Sequence, residues 1–561
     1  MGWILAVYAC LSAVYLLYIP HALPVLDDWT CYEQCERARA GGIGGELSLL
    51  RRVIDNSWGD IFRMYWASNV VVVVLSFAAG FAGWPYFLLA WTAHLLTAVL
   101  LQRIVWLLAR DQEIGFFAGA MYVVFPAANN ALFWPGTNCI YYLQALGFFW
   151  WFYLTWKKLA VAKDYRYRWK DLALLLLVVF SGEQILPALV LLMPVAFWLF
   201  GERQNHRAFF RFWLTHATMV AILVISYALL INRNPIFRSF GMRYGASGRW
   251  NPRPVVLMLL GSLGLAPQTA GWRPAWGLDG MLIAILGLAA IALFWGWRRC
   301  SHFSRTSVRQ GTLKILLWSV AGAVLTYLPL ARLNTFEWRY LYVLSVFLVP
   351  AGAALLGLMK RPARVVLVLL AVAYGVSVTY FEMRQCWVPQ SRAARAMLDT
   401  VAGAGPFLAR DVLIFSGDPV ANGPAPSFIN GASWSLNSML QHYSRSAQIQ
   451  GARDLAMNER GELALYRPGS FVPWFHKEEL HRRLRVFVYD PSNNRFAPKS
   501  LLAFPAAEGR YQLFALRTFQ AAGPFPERAL TREELQGLPY SNQIYFVHRI
   551  PGRRHWQAAG S

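Results

Sequence analysis

Long apolar runs separated by short polar segments, most of them basic, dominate the first 380 residues. A helix needs roughly 20 apolar residues to cross the hydrocarbon core of a bilayer. Runs that reach or approach this length lie near 3–19, 84–108, 114–128, 138–156, 171–182, 184–200, 212–231, 278–297, 314–331, 340–358 and 364–380. The pattern predicts a polytopic α-helical membrane protein with about eleven transmembrane helices. The opening run has no basic residues before it and no small-residue cleavage site after it, so it reads as a retained first span.

Two further apolar stretches complicate the count. "NVVVVVLSFAAGFAG" (69–83) lies inside a long first loop, 20–83, and is expected to dip into the outer leaflet. "VVLMLLGSLGLAPQTA" (255–270) reads either as re-entrant or as a span. If one of the two crosses and the other does not, the orientation of everything downstream inverts.

After Tyr380 the period changes. A helix is expected over 391–401, and strands in "DVLIFSG", "RVFVYD" and "QIYFVHR". Thr531 followed by Glu534 is the spacing of a capping box. The chain therefore divides into a membrane domain, 1–380, and a C-terminal soluble α/β domain, 381–561. "GGIGG" (41–45) has no strand before it and reads as a flexible loop rather than a dinucleotide fingerprint.

Charge sets the orientation. The formal net charge is +24, which on its own suggests a nucleic-acid partner. The positions of the cations and the lack of any nucleic-acid motif point instead to the bilayer. Lys and Arg concentrate at 103–110, 157–170, 203–211, 298–314 and 360–364. Positive loops stay cytoplasmic. The opposite set holds Asp27 and Asp28, Asn129 and Asn130, Glu183, and Glu337 with Arg339, and it is the outer side. The loop 232–253 is basic and acid-free, which favours an inversion, while the basic loop 298–314 opposes one; 232–253 is placed outside. This puts the C-terminal domain outside too, periplasmic if the membrane is a bacterial inner membrane. With 57% hydrophobic residues and a mean hydropathy of +0.36, the composition agrees with a membrane chain.

The six cysteines form no CxxC pair and no zinc spacing, so no structural metal is expected. Cys31 and Cys35 are placed either to bridge or to remain two thiols on one helix face.

The chemistry of the outer side starts with "PVLDDWT" (24–30). Asp27 and Asp28 stand just beyond the first span, where one carboxylate can act as a general base while the other caps the helix. "FEWRYLY" (336–342) places Arg339 and Tyr340 at the start of a span, suited to an anionic head group, with Glu337 beside them. Arg63 in "FRMYW" is a second candidate cation. "NNALFWPGTN" (129–138) offers Trp134 for stacking and Asn138 for hydrogen bonding to a sugar, and Glu183 in "SGEQILP" is the lone acid of a short outer turn. Arg238 and Arg243 are the candidate cations of the 232–253 loop. His94, in the middle of a span, is expected to bridge two helices rather than to react. Each of these residues also has a plain structural role open to it, as cap, interfacial anchor or ion-pair partner.

The order of these pieces resembles a known family. An acid pair after the first span, then "TAHLL", "FPAANNALFWPGTN", "SGEQILP" and "EWRYLY", is similar to the multi-spanning GT-C glycosyltransferases, which include protein O-mannosyltransferases and aminoarabinose transferases. The resemblance covers roughly residues 1–380. It implies an inverting enzyme that uses a polyprenyl-phosphate sugar donor at the outer face, with a glycan, glycolipid or protein acceptor. It implies Asp27 as the base, and Arg339 with Tyr340 on the donor phosphate. No cofactor is implied, and a divalent cation is compatible with the site. Two other readings are an O-antigen ligase or polymerase, favoured by the Arg238/Arg243 loop, and a lipid-linked-sugar transporter, which needs charge in mid-span. The tail has no WWDYG motif, so the oligosaccharyltransferase branch is not expected; its "DVLIFSGDPVANGPAPSFINGASWSLNSML" more faintly resembles soluble tails of some bacterial GT-C proteins.

Overall fold

Every apolar run expected to cross is helical where the structure describes it. The structure is a computed structural model and describes residues 2–23, 27–54, 66–80, 82–136, 138–182, 184–202, 205–232, 253–265, 275–301, 308–329, 338–403, 411–417, 450–452, 454–457, 463–467, 470–474, 483–506, 509–516, 519 and 526–549. The first helices are α1 (Gly2–Leu11), α2 (Ala13–Leu16), α3 (Asp27–Ala40), α4 (Gly42–Ile54) and α5 (Trp66–Ala79). There follow α6 (Gly83–Ala109), α7 (Gln112–Val123), α8 (Asn129–Phe133), α9 (Cys139–Trp156), α10 (Trp169–Val179), α11 (Leu186–Phe200) and α12 (His206–Asn232). The last of the series are α13 (Arg253–Ser262), α14 (Gly280–Ser301), α15 (Val308–Tyr327), α16 (Leu341–Gly357), α17 (Arg361–Glu382) and α18 (Val388–Gly403). Among the described residues, 4 helices are long and apolar enough to cross a bilayer alone, or up to 6 if each bent pair counts as one span.

The bends have local causes. α1 and the segment after it meet at 61°. There the Ser12 hydroxyl donates to the Tyr8 carbonyl at 2.8 Å, a bond that competes with the helix ladder. It also accepts from Trp91 Nε1 at 3.0 Å, which holds the bend against α6. α7 and the segment through α8 meet at 48°. Pro126 at that break has no N–H to continue the helix.

Contacts sort the loops of this bundle onto two ends. At one end Glu113 lies 3.5 Å from Arg361 and 3.7 Å from Arg364 and accepts from Trp297 Nε1 at 3.3 Å. Lys163 pairs with Glu202 at 2.9 Å, Lys314 lies over the Phe200 ring, and Arg299 lies over Trp3. These join the loops expected to be basic. Asp111 and Glu113 are acids at this end, and both are used locally: Asp111 caps α7 through the Glu113 and Ile114 amides.

At the other end, described segments that flank the opposite set meet. Ser68 donates to the Ser181 carbonyl, Gln385 donates to the Ala275 carbonyl, and the Ala22 carbonyl lies against Gly83. α5 stays at this end, because Ala67 N donates to the Phe180 carbonyl and Gly80 accepts from the Tyr86 hydroxyl. α13 packs against residues 126–128 and 338–340. Its 10 residues cover about 15 Å, half a hydrocarbon core. Neither short helix joins the two ends.

The expected flexible loop at 41–45 is instead a tight turn between helices. Gly42 begins α4 with φ of +63°, and a Cβ on Gly45 would stand 2.2 Å from the Ala38 carbonyl oxygen. Glycine is needed for the left-handed turn and for the close approach. Cys35, Ala38, Leu49, Val53 and Val73 then form a small core that includes α5. Cys35 is a free thiol within it.

Contacts divide the chain into two units, Met1–Pro24 with Cys35–Gln385, and Val25–Gln34 with Cys386–Ser561. The change of composition after Tyr380 does not interrupt the helix. α17 runs through Glu382, widens into a π-turn at Met383–Trp387 and continues as α18.

The second unit is α/β. Its strands are β1 (Val412–Ser416), β2 (Gln450–Ala452), β3 (Asp454–Met457), β4 (Leu463–Arg467), β5 (Ser470–Trp474) and β6 (Leu484–Asp490). They continue with β7 (Arg495–Lys499), β8 (Leu501–Pro505), β9 (Tyr511–Ala515), β10 (Ile544–Phe546) and β11 (His548–Arg549). They form three sheets, β2-β1-β6-β7, β10-β8-β9 and β11-β3-β4-β5. β1 lies parallel to β2 and β6, so a central strand is buried along most of its length, as "VLIF" requires. The three strands expected from sequence are β1, β6 and the pair β10–β11. Thr531 and Glu534 make both bonds of a capping box.

Candidate functional site

At the end of the bundle opposite Glu113, Lys163 and Lys314, three expected site residues meet. α8 closes at Trp134, the chain turns through Pro135 and Gly136, and Asn138 stands just before α9 with its side chain free of any capping bond. A 3₁₀ turn, Trp338–Tyr340, leads into α16 and carries Arg339 to the same place. Arg339 Nη1 donates to Asn138 Oδ1 at 3.3 Å, and the guanidinium carbon lies 4.8 Å from the centre of the Trp134 ring. Asn138 is fully buried and its amide donates to the Asn130 carbonyl at 3.2 Å. That bond fixes which amide atom faces the arginine, so the oxygen is presented to the cation.

Tyr340 is also buried, but its position is structural as well as chemical. Its ring meets Tyr141 edge-on at 5.7 Å, and its carbonyl accepts from Gln184 Nε2 at 3.1 Å. This ties the turn after α10 to the turn before α16. A guanidinium held over an indole keeps a fixed plane, and a fixed guanidinium fork can pair with a carboxylate or a phosphate.

Behind this cluster lies a carboxylate that residue-by-residue reading of the sequence did not single out. Glu382, at the end of α17, is 1% exposed. Its Oε2 accepts from Asn129 Nδ2 at 2.7 Å, and Asn129 Oδ1 accepts from the Tyr15 hydroxyl at 2.8 Å and from Thr379 Oγ1 at 3.2 Å. The network links the first span, the "NNALF" segment and the last span of the bundle. The signal available in the sequence was an acid in "TYFEMRQ", one turn beyond the end of an apolar helix. Nearby, Asp279 caps α14 and pairs with Arg384. Its Oδ2 accepts from the Tyr380 hydroxyl at 2.7 Å and its Oδ1 from the Leu282 amide at 2.9 Å.

His94 behaves as the mid-span expectation had it. Its Nδ1 is 2.9 Å from the Tyr342 hydroxyl and its Nε2 is 3.3 Å from the Val123 carbonyl, so it fastens α6 to α16 and α7.

Asp27 and Asp28 are the first two residues of α3, in the unit that also holds residues 386–561. Arg63, Glu183, Arg238, Arg243 and Glu337 lie outside the described residues. Among the described residues, no group of three or more His, Cys, Asp or Glu side chains converges as a metal site.

No protein-family model matches the chain, and no curated protein does. Among solved structures it overlaps ArnT from Cupriavidus metallidurans. In the apo state the TM-score is 0.37 at 14% identity, over 80% of this chain and 86% of that one. In the crystal structure of that ArnT bound to undecaprenyl phosphate, the TM-score is 0.35 at 16% identity, over 80% and 86%. Overlaps this loose assign neither a fold nor an activity.

Proposed function

We propose that this chain is a GT-C-type glycosyltransferase that moves a sugar from a polyprenyl-phosphate donor to a cell-surface glycan or glycolipid, with inversion, at the outer face of a bacterial inner membrane. The convergence of Trp134, Asn138 and Arg339 carries the reading. It occurs at the end of the bundle where the first loop departs beside Gly83. In this reading the chain crosses eleven times, and the α/β domain, 381–561, is periplasmic.

Asp27 is the general base in this scheme. It takes the proton of the acceptor hydroxyl as that oxygen attacks the anomeric carbon. The bond from the anomeric carbon to the phosphate oxygen breaks, its electron pair stays with the phosphate, and polyprenyl phosphate leaves. Arg339 stabilises the charge that develops on the departing phosphate, and Asn138 and Trp134 hold its guanidinium plane. Asp28, in the first turn of α3, favours the helix N-terminus through its charge. Arg63 and Tyr340 are secondary phosphate contacts, and Glu183, Glu337, Arg238 and Arg243 belong to substrate binding. The bundle offers a transporter little to work with, since the mid-span His94 is committed to helix packing.

The test is a comparison of surface glycans and lipids by mass spectrometry, in cells with and without the protein. Loss of one defined sugar, with its polyprenyl-phosphate precursor accumulating, is the expected result. An unchanged glycan profile, or accumulation of a whole lipid-linked oligosaccharide, contradicts a single-sugar transferase, and the second outcome favours the ligase reading.

A further inference from the structure

A second site lies between α11 and α12, away from the cluster around Arg339. Pro194 sits inside α11 and has no N–H, which frees the Val190 carbonyl four residues earlier. Trp213 Nε1 of α12 donates to that carbonyl at 2.9 Å, and Phe197 stacks on Phe209 with ring centres 3.8 Å apart. With the two helices so fastened, a groove of about 520 Å³ remains, lined by Phe197, Trp198, His206, Arg207, Phe210 and Arg211.

Three features of the groove identify its occupant. First, Arg207 and Arg211 are four residues apart on α12 and therefore share a face. Neither makes an ion pair among the described residues, and the nearby acid Glu202 is already paired with Lys163. The groove therefore holds uncompensated positive charge. Second, its walls are exposed aromatics: Trp198 is 75% exposed and Phe210 55%. Third, the groove opens onto a helix that faces out of the bundle. Only 22% of the apolar window of α12 is buried, and Leu214, Ile222, Ile225 and Leu229 continue the apolar surface away from the arginines. Two cations at the head of an apolar track match an amphiphile with an anionic head group.

The geometry points to a binding site for an anionic glycerophospholipid, its phosphate between Arg207 and Arg211 and its acyl chains along α12. The groove belongs to the end of the bundle that carries Lys163, Glu202 and Lys314, the end expected to face the cytoplasm. The inference does not depend on the glycosyltransferase reading, because it uses none of that site's residues.

The experiment reconstitutes the full chain in vesicles containing photoactivatable phosphatidylglycerol or photoactivatable phosphatidylcholine and maps the cross-linked peptides. Phosphatidylglycerol is expected to label residues 194–211 several-fold more strongly than phosphatidylcholine. Arg207→Gln with Arg211→Gln should cut that labelling roughly tenfold, while Arg207→Lys with Arg211→Lys retains most of it. Gel filtration and thermal melting confirm that both double variants fold. Equal labelling by the two lipids, or unchanged labelling of the Gln variant, would overturn the proposal. Excess inorganic phosphate should weaken the labelling in part, since it competes for the same two arginines; binding of inorganic phosphate by the purified chain, with no selective labelling by phosphatidylglycerol, would overturn the proposal.

Discussion

Arg339 illustrates how far one side chain can be read. Its neighbours in sequence are aromatic, which suggested a residue anchored at the head-group level. The partners that give it a defined orientation, Trp134 and Asn138, come from a segment 201 residues away at Asn138. Replacing Arg339 with Ala removes a charge-assisted bond of about 1.5–3 kcal/mol, so kcat/KM for the lipid donor should fall roughly 10- to 100-fold. Arg339→Lys keeps the charge without the fork and should recover part of the loss. Steady-state kinetics against donor concentration read both, and unchanged donor saturation in the Ala variant would reduce Arg339 to an anchor. Glu382 was harder to see. Nothing beside it in the sequence marks its partners, which lie at Asn129 and, through Asn129, at Tyr15 and Thr379. Glu382→Leu leaves a buried amide without that acceptor and should cost about 1–3 kcal/mol of stability, whereas Glu382→Gln keeps an acceptor oxygen and should cost less. Thermal melting in detergent separates the two, and equal losses would show that the network does not depend on hydrogen bonding.

At the scale of elements, the apolar runs were legible because burial in lipid demands length and composition that no polar segment imitates. The breaks within them were not. Ser12 bends the first run through a side-chain bond that depends on Trp91 of another helix, and Pro126 breaks the third only where the chain also turns. Strands β2, β3, β4, β5, β7, β8 and β9 have 3 to 5 residues each, and the hydrophobic pattern along the chain does not set them apart. The glycines at 41–45 were read as looseness and proved to be a close helix–helix turn. The α11–α12 pair gives the sharpest test of an element. Trp213→Phe removes the donor that satisfies Val190 and should cost about 1 kcal/mol or more. In a Pro194→Ala background the helix regains its own donor, so the same change should cost much less. A double-mutant cycle on melting temperature measures the coupling, and strict additivity would mean that the indole bond is incidental.

For the molecule as a whole, the alternation of basic and acid-bearing loops orders the described contacts better than any single motif. Lys163, Glu202, Lys314 and Arg361 lie at one end of the membrane unit, and Ser68, Ser181 and the contact of Ala22 with Gly83 lie at the other. The proposed topology follows from it: single cysteines at Ser301 and at the exposed Ser492, in a cysteine-free background, should label from opposite sides of the membrane, with Ser492 outside. Labelling of both from one side would mean a miscounted crossing. The central claim is that an acid of the first loop performs the chemistry, and it rests on the family resemblance of "PVLDDWT" and on the convergence of Trp134, Asn138 and Arg339. The direct measurement is release of polyprenyl phosphate by purified protein from a panel of polyprenyl-phosphate sugars, with donor binding followed in parallel. The wild type should release it from one donor, and Asp27→Asn should be slower by about 10²–10⁴-fold while still binding that donor, because Asn keeps the shape and an acceptor oxygen but takes no proton. Turnover near the wild-type rate in Asp27→Asn, in Asp28→Asn and in the double variant would contradict the account.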